Sequence, residues 1–144
     1  VWEFEYAIET SATPDVLWIL LSDVERWPQW NAGVEKIEIN GPFAAGTVFV
    51  MKPPGQEAIT TRLVEVQKGK SFLDETRLGE LRIFVDHRLE PLTSGRTRIV
   101  YSIEVFGPDC DEVGAAVSAD FPDVLRALAT LAEAESSNCP LCVR

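Results

Sequence analysis

Hydrophobic and polar residues alternate cleanly at the start of the chain. In WEFEYAIET (2–10), Trp2, Phe4, Tyr6 and Ile8 fall on one face, with Glu3, Glu5 and Glu9 on the other. That period of two predicts a half-buried strand. TPDVLWILLSDV follows as a short helix, with Thr13 at the N-cap, Pro14 at the first helical position and Asp15 in the first turn. Pro28 is expected to stop its continuation, leaving RWPQW (26–30) as a loop that carries Trp27 and Trp30.

From residue 34 to 107 the pattern is strands and turns. VEKIEI ends at Gly41-Pro42, GTVFVMK at Pro53-Pro54-Gly55, AITTRLVEV at Lys68-Gly69 and SFLDETR at Gly79. LRIFVDHRLEPL and TRIVYSIEVF close the series. The segment 111–135 then switches to helical period. Val113, Val117, Phe121, Val124, Leu128 and Leu131 recur at steps of three or four, and Pro122 inside the stripe predicts a kink or a division. A strand, short helices, about six antiparallel strands and one long amphipathic helix make an α+β architecture.

The last hairpin can be registered from sequence. TSG (93–95) as a three-residue loop puts Gly95 at the left-handed position and sets Leu92 opposite Arg96. Leu89 then pairs with Ile99, Val85 with Ile103 and Ile83 with Val105, all apolar, while Glu90 meets Arg98 on the other face. A two-residue loop would pair Val85 with Glu104 and mix the faces. In the favoured register the only histidine, His87, lies opposite Tyr101 on the inward face.

The strand AITTRLVEV stays undecided. Either Thr60, Arg62 and Val64 point inward, or Ile59, Thr61 and Leu63 do. An inward Arg62 would favour an anionic or enolate-bearing ligand.

Composition narrows the partners. The chain has 144 residues, 46% of them apolar and 25% charged, with a net charge of −10. The length suits one domain over 1–144, with 136–144 expected to be a flexible tail. Such an acidic chain would be repelled by a phosphate backbone, so nucleic acid is not an expected partner. No apolar run approaches the roughly 18 residues of a membrane span. The chain begins at Val1 rather than Met, which leaves open whether residues or a leader precede it.

Three cysteines, an odd number with Cys110 standing alone, point to a reducing, cytoplasmic setting. CPLC (139–142) has redox or metal spacing. It lacks the further ligands zinc needs and the following helix a thioredoxin-type motif needs, so neither a metal nor a cofactor is expected. No GxSxG, Walker loop, HExxH or basic aromatic patch occurs.

The pieces TPDVLWILLSDVERWPQWNAGVEKIEINGPFAAGTVF, HRLEPLTSGRTRIVYSIEVFGP and DFPDVLRALATLAE occur in that order over most of residues 2 to 135. Together they resemble the START-like (SRPBCC) helix-grip proteins, specifically the polyketide cyclase/dehydratase and lipid-transport group. The resemblance implies a curved antiparallel sheet of about six or seven strands gripping a long C-terminal helix, with two short helices after the first strand and an elongated apolar cavity between sheet and helix. It implies no reaction, because members include cyclases, hydrophobic-ligand carriers, hormone receptors and chaperone activators. The SSNCPLCVR tail departs from the family pattern.

Three functions follow as expectations. The first is binding of a hydrophobic, lipid- or polyketide-like small molecule by a monomer or homodimer. Its candidate ligand contacts are Trp30, Phe49, Met51, Arg62, His87, Ile99, Tyr101, Ile103, Phe121 and Leu125. The second is a polyketide cyclase or dehydratase, with His87 as acid/base near neutral pH and Tyr101 donating a hydrogen bond to an enolate. The third is a protein-interaction module of the chaperone-regulator kind. A bland alternative stands beside each residue. His87 can be a buried imidazole paired with Tyr101 or backbone, Trp30 can be a structural plug, and Trp27 a brace for the short helix.

Overall fold

In a computed structural model, residues 1–138 are described, and CPLC lies outside them. The polypeptide forms β1 (Trp2–Thr10), α1 (Pro14–Ser22), a 3₁₀ helix (Val24–Gln29), β2 (Lys36–Ile39) and β3 (Val48–Lys52). It continues through β4 (Ile59–Gln67), β5 (Ser71–Leu78), β6 (Leu81–Pro91), β7 (Thr97–Phe106), α2 (Cys110–Ser118) and α3 (Phe121–Asn138). One seven-stranded antiparallel sheet runs in the order β1-β7-β6-β5-β4-β3-β2. Helices α1, α2 and α3 pack on its inner face, giving the α+β helix-grip fold.

The register of β6 and β7 follows the turn. Ser94 and Gly95 both take positive φ, Leu92 N–H donates to the Arg96 carbonyl at 2.8 Å, and His87 pairs with Tyr101. Leu89–Ile99, Val85–Ile103 and Ile83–Val105 fall on the inner face and Glu90–Arg98 on the outer one, as the alternation predicts.

Local chemistry departs from expectation at three places. Thr13 occupies the N-cap of α1 in extended conformation, but its side chain makes no capping hydrogen bond. Pro28 lies inside the 3₁₀ helix rather than ending helical structure, because a short 3₁₀ turn does not depend on its missing N–H. The C-terminal stripe is divided, one of the two outcomes expected of Pro122: α2 stops at Ser118, and Pro122 sits in the first turn of α3, where its fixed φ is tolerated. Helix α3 extends through Ser136 to Asn138, three residues into the segment expected to be a tail.

A β-bulge between Leu63 and Glu65 interrupts the pairing of β4 with β5. Before it Ile59, Thr61 and Leu63 face inward, and after it Val66 does, opposite Phe72. The extra residue bends the strand and strengthens its twist, which helps the sheet to curl around the helices.

Polar ties join the sheet, the β1–α1 loop and the helices. Thr10 Oγ1 donates to Glu133 Oε2 at 2.6 Å, and Thr97 Oγ1 to the Ala12 carbonyl at 2.7 Å. Arg26 pairs with Glu135. Among the described residues no helix is long and apolar enough to cross a membrane.

Candidate functional site

A cavity of about 410 Å³ lies between the inner face of the sheet, the 3₁₀ helix and the α2–α3 corner. Pockets for a single small molecule commonly span about 300–1,000 Å³. Gln56 in the β3–β4 turn, Leu78 at the end of β5, and Ala116 and Val117 in α2 all line it. Leu78 and Val117 are large apolar side chains left 42% and 37% exposed, which marks this rim as the mouth.

Five large aromatic side chains stand in its walls. Trp27 and Trp30 come from the 3₁₀ helix and its C-cap, Phe72 from β5, Tyr101 from β7 and Phe121 from the start of α3. The Trp27 ring contacts Trp30, Phe49 and Phe72, with centroids 5.4–6.1 Å apart. Trp27 Nε1 donates to the Leu21 carbonyl at 3.0 Å, so this ring braces the 3₁₀ helix against α1 while presenting surface to the cavity. Trp30 is 4% exposed, and its Nε1–H has no hydrogen-bond partner among the described residues. An unpaired buried donor costs about 1–3 kcal/mol.

His87 sits between two rings. It stacks on Phe72 at 3.9 Å with planes 10° apart, and meets Tyr101 edge-on at 4.5 Å. Tyr101 in turn meets Phe121 at 5.4 Å, nearly perpendicular. His87 Nδ1 lies 3.2 Å from the Phe72 carbonyl oxygen, which can only accept, so Nδ1 carries the proton. Burial drives the His87 pKa down to about 3 against the opposing pull of backbone groups at Phe72 and Val85, and the ring is neutral at physiological pH.

The sequence reading missed Asp74. It lies on the inner face of β5 with Phe72 and Thr76, is 8% exposed, and lines the cavity. Its Oδ2 is 3.9 Å from His87 Nε2. Burial, reinforced by the negative field of Asp86, raises its pKa to about 8 although the Val85 backbone works the other way. Its alternation with Phe72 and Thr76 shows only that the three share a face, and the inward direction of that face comes from the strands paired on either side. Asp120, at the α2–α3 corner, also lines the cavity, and burial raises its pKa as well. Thr61 and Thr76 bond each other at 2.8 Å across β4 and β5.

Of the ten candidate contacts, Trp30, Met51, His87, Tyr101 and Phe121 line the cavity. Phe49, Ile99, Ile103 and Leu125 do not: each is at most 1% exposed and packed within the core. Arg62 is corrected outright. It points to the outer face, where its guanidinium is 49% exposed and bonds Glu75 at 3.2 Å, because Ile59, Thr61 and Leu63 take the inner face. His87 lines the cavity, but burial pushes its pKa down to about 3, well below the near-neutral value expected of an acid/base. Among the described residues no cluster of three or more metal-ligating side chains occurs.

The curled sheet, the helices it holds and the cavity between them have the form of a START-like ligand-binding domain. The chain belongs to the family described as polyketide cyclase / dehydrase and lipid transport, whose profile matches residues 1–133. Three similar solved structures share the fold. The Zhui aromatase/cyclase from Streptomyces sp. R1128 is 17% identical over 92% of this chain and 93% of its own, with a TM-score of 0.77. A norcoclaurine synthase point mutant from Thalictrum flavum, in complex with a transition-state analogue, is 15% identical over 93% and 95%, with a TM-score of 0.75. A START superfamily protein from Mycobacterium smegmatis is 16% identical over 91% and 97%, with a TM-score of 0.73. No curated protein matches the chain.

Proposed function

We propose that this protein binds one apolar or aromatic small molecule, lipid- or polyketide-like, inside the cavity between the sheet and the α2–α3 corner. The observation that carries this is the cavity itself: about 410 Å³, walled by Trp27, Trp30, Phe72, Tyr101 and Phe121 and lined by more apolar than polar surface. Burying a flat apolar ligand there gains about 25 cal/mol for each Å² removed from water. Because two tryptophans form the wall, their emission reports occupancy. Titration with fatty acids, sterols and aromatic polyketides should give a saturable change with at least one aromatic class. No saturable change with any class would overturn the reading.

A second reading, a cyclase or dehydratase, is favoured by one observation: inside the cavity the Asp74 carboxyl stands 3.9 Å from His87 Nε2, where burial raises the pKa of the acid to about 8. In that reading Asp74 supplies a proton to a developing enolate or leaving hydroxyl, and the aromatic walls hold the chain folded. Positioning alone is worth about 7–11 kcal/mol in well-oriented reactions. Asp74→Asn separates the two. An enzyme loses most turnover, while a carrier keeps a saturable binding curve.

A further inference from the structure

We infer that Asp74 and His87 form a two-point clamp for a single hydroxyl group of the bound molecule, an alcohol, phenol or enol, and that the clamp selects such ligands over carboxylates of equal size. This rests on the cavity-binding reading above and adds the chemical class of its ligand.

The roles of the two side chains are fixed by their surroundings. His87 Nδ1–H is committed to the Phe72 carbonyl at 3.2 Å, so Nε2 presents a lone pair and no proton. Turning the ring over would put Cδ2 in place of Nδ1 and lose that bond, and the ring is held between Phe72 and Tyr101. Asp74 Oδ2 stands 3.9 Å from Nε2, beyond hydrogen-bond reach. A single oxygen about 2.8 Å from both atoms would subtend an angle of about 90°, within the range a hydroxyl tolerates when it donates to one partner and accepts from the other.

The charge of the cavity supplies the selectivity. Asp74 and Asp120 line it, and none of the described lining residues is Lys or Arg. Burial keeps Asp74 protonated at neutral pH, which makes it a donor beside an acceptor. A hydroxyl satisfies both. A ketone or carboxylate only accepts, so it leaves Nε2 unpaired, and a carboxylate also brings an anion into a buried site with no counter-charge.

The test is isothermal titration calorimetry at neutral pH with naphthalene, β-naphthol and β-naphthoate, on the wild type and on Asp74→Leu and His87→Phe. The wild type should bind β-naphthol about tenfold or more tighter than naphthalene, as two net hydrogen bonds imply, and should bind β-naphthoate weakest. In each variant the β-naphthol to naphthalene ratio should fall to within about threefold, a readout in which any general change in cavity affinity cancels. A wild type that binds naphthalene and β-naphthol equally, or β-naphthoate as tightly as β-naphthol, overturns the clamp and leaves the cavity-binding reading standing. A preference that survives both substitutions overturns it too. If none of the three probes binds, the clamp falls, and the cavity-binding reading falls with it only when fatty acids, sterols and aromatic polyketides also give no saturable change.

Discussion

Asp74 and Glu75 are neighbours in β5, point to opposite faces of the sheet, and have pKa values driven in opposite directions. Asp74 faces the cavity and is raised to about 8 by burial. Glu75 faces outward beneath three guanidinium groups, bonding Arg82 at 2.9 Å, Arg77 at 3.0 Å and Arg62 at 3.2 Å. Their cover works to raise its pKa, but the hydrogen bonds from Arg77, Arg82 and Arg62 together bring it down to about 2. Alternation in a strand thus gives two adjacent carboxylates different protonation states.

Stability should fall as pH rises past 6.5. Between 3.8 and 8 folded Asp74 keeps a proton that the unfolded chain has released, so its contribution is full below 3.8 and lost as pH climbs through 8. His87 has the reverse sign: stability is lost as pH falls from 6.5 toward 3, where only the unfolded chain takes up the proton. The two slopes cancel between 3.8 and 6.5, leaving Asp74 alone from 6.5 to 8. One proton is worth about 1.4 kcal/mol per pH unit, so wild type should lose about 2 kcal/mol across that window relative to Asp74→Asn. Urea unfolding at a series of pH values checks this. Parallel curves for the two proteins would contradict it.

Glu75→Gln should cost about 1–2 kcal/mol at neutral pH, because three partly exposed arginines lose a charged acceptor. The variant should also lack the wild type's Glu75-linked decline as pH falls from 4.5 to 2, since that group's stabilisation is present above 4.5 and lost through 2. Acid-side denaturation midpoints of the two proteins measure the difference.

The strand that carries these carboxylates shows what sequence can and cannot reveal. The β6–β7 register was legible because one loop length alone kept Ile83, Val85 and Leu89 opposite apolar partners. Strand β4 was not, since both of its faces mix threonine with aliphatic residues. The bulge also puts Leu63 and Val66 on one face although they are three apart. In β5 the sets Phe72-Asp74-Thr76 and Leu73-Glu75-Arg77 are nearly equal in polarity, so Asp74 gave no signal without its neighbours across the sheet. Its pairing geometry with His87 depends on contacts remote in sequence, whereas the helical stripe and its division just before Pro122 are local.

Gly114→Ala should destabilise the protein despite the better helix propensity of alanine. A β-carbon at Gly114 in α2 would lie 2.1 Å from Cε3 of Trp2, a rigid indole at the start of β1. Overpacking of this kind costs about 1–3 kcal/mol, against a propensity gain of about 1 kcal/mol. Thermal unfolding should show a lower midpoint. An unchanged or higher midpoint would mean that Trp2 moves aside freely.

The imidazole of His87 should not titrate from neutral pH down to about pH 5, unlike an ordinary histidine. Nitrogen-15 NMR of the ring should show the tautomer protonated at Nδ1. A titration midpoint near 6.5, the ordinary value, would contradict the buried, neutral ring.

The central claim is that the cavity holds a small molecule, and the most direct measurement compares the wild type with a protein whose cavity is filled. Val124 lines the cavity from α3 and is 5% exposed, so Val124→Trp places an indole in the space a ligand would take. Calorimetric titration of β-naphthol into both proteins, with folding checked by circular dichroism, should give saturable one-to-one binding to the wild type and none to a folded Val124→Trp. Equal binding by both proteins, or no binding by the wild type, would contradict the account.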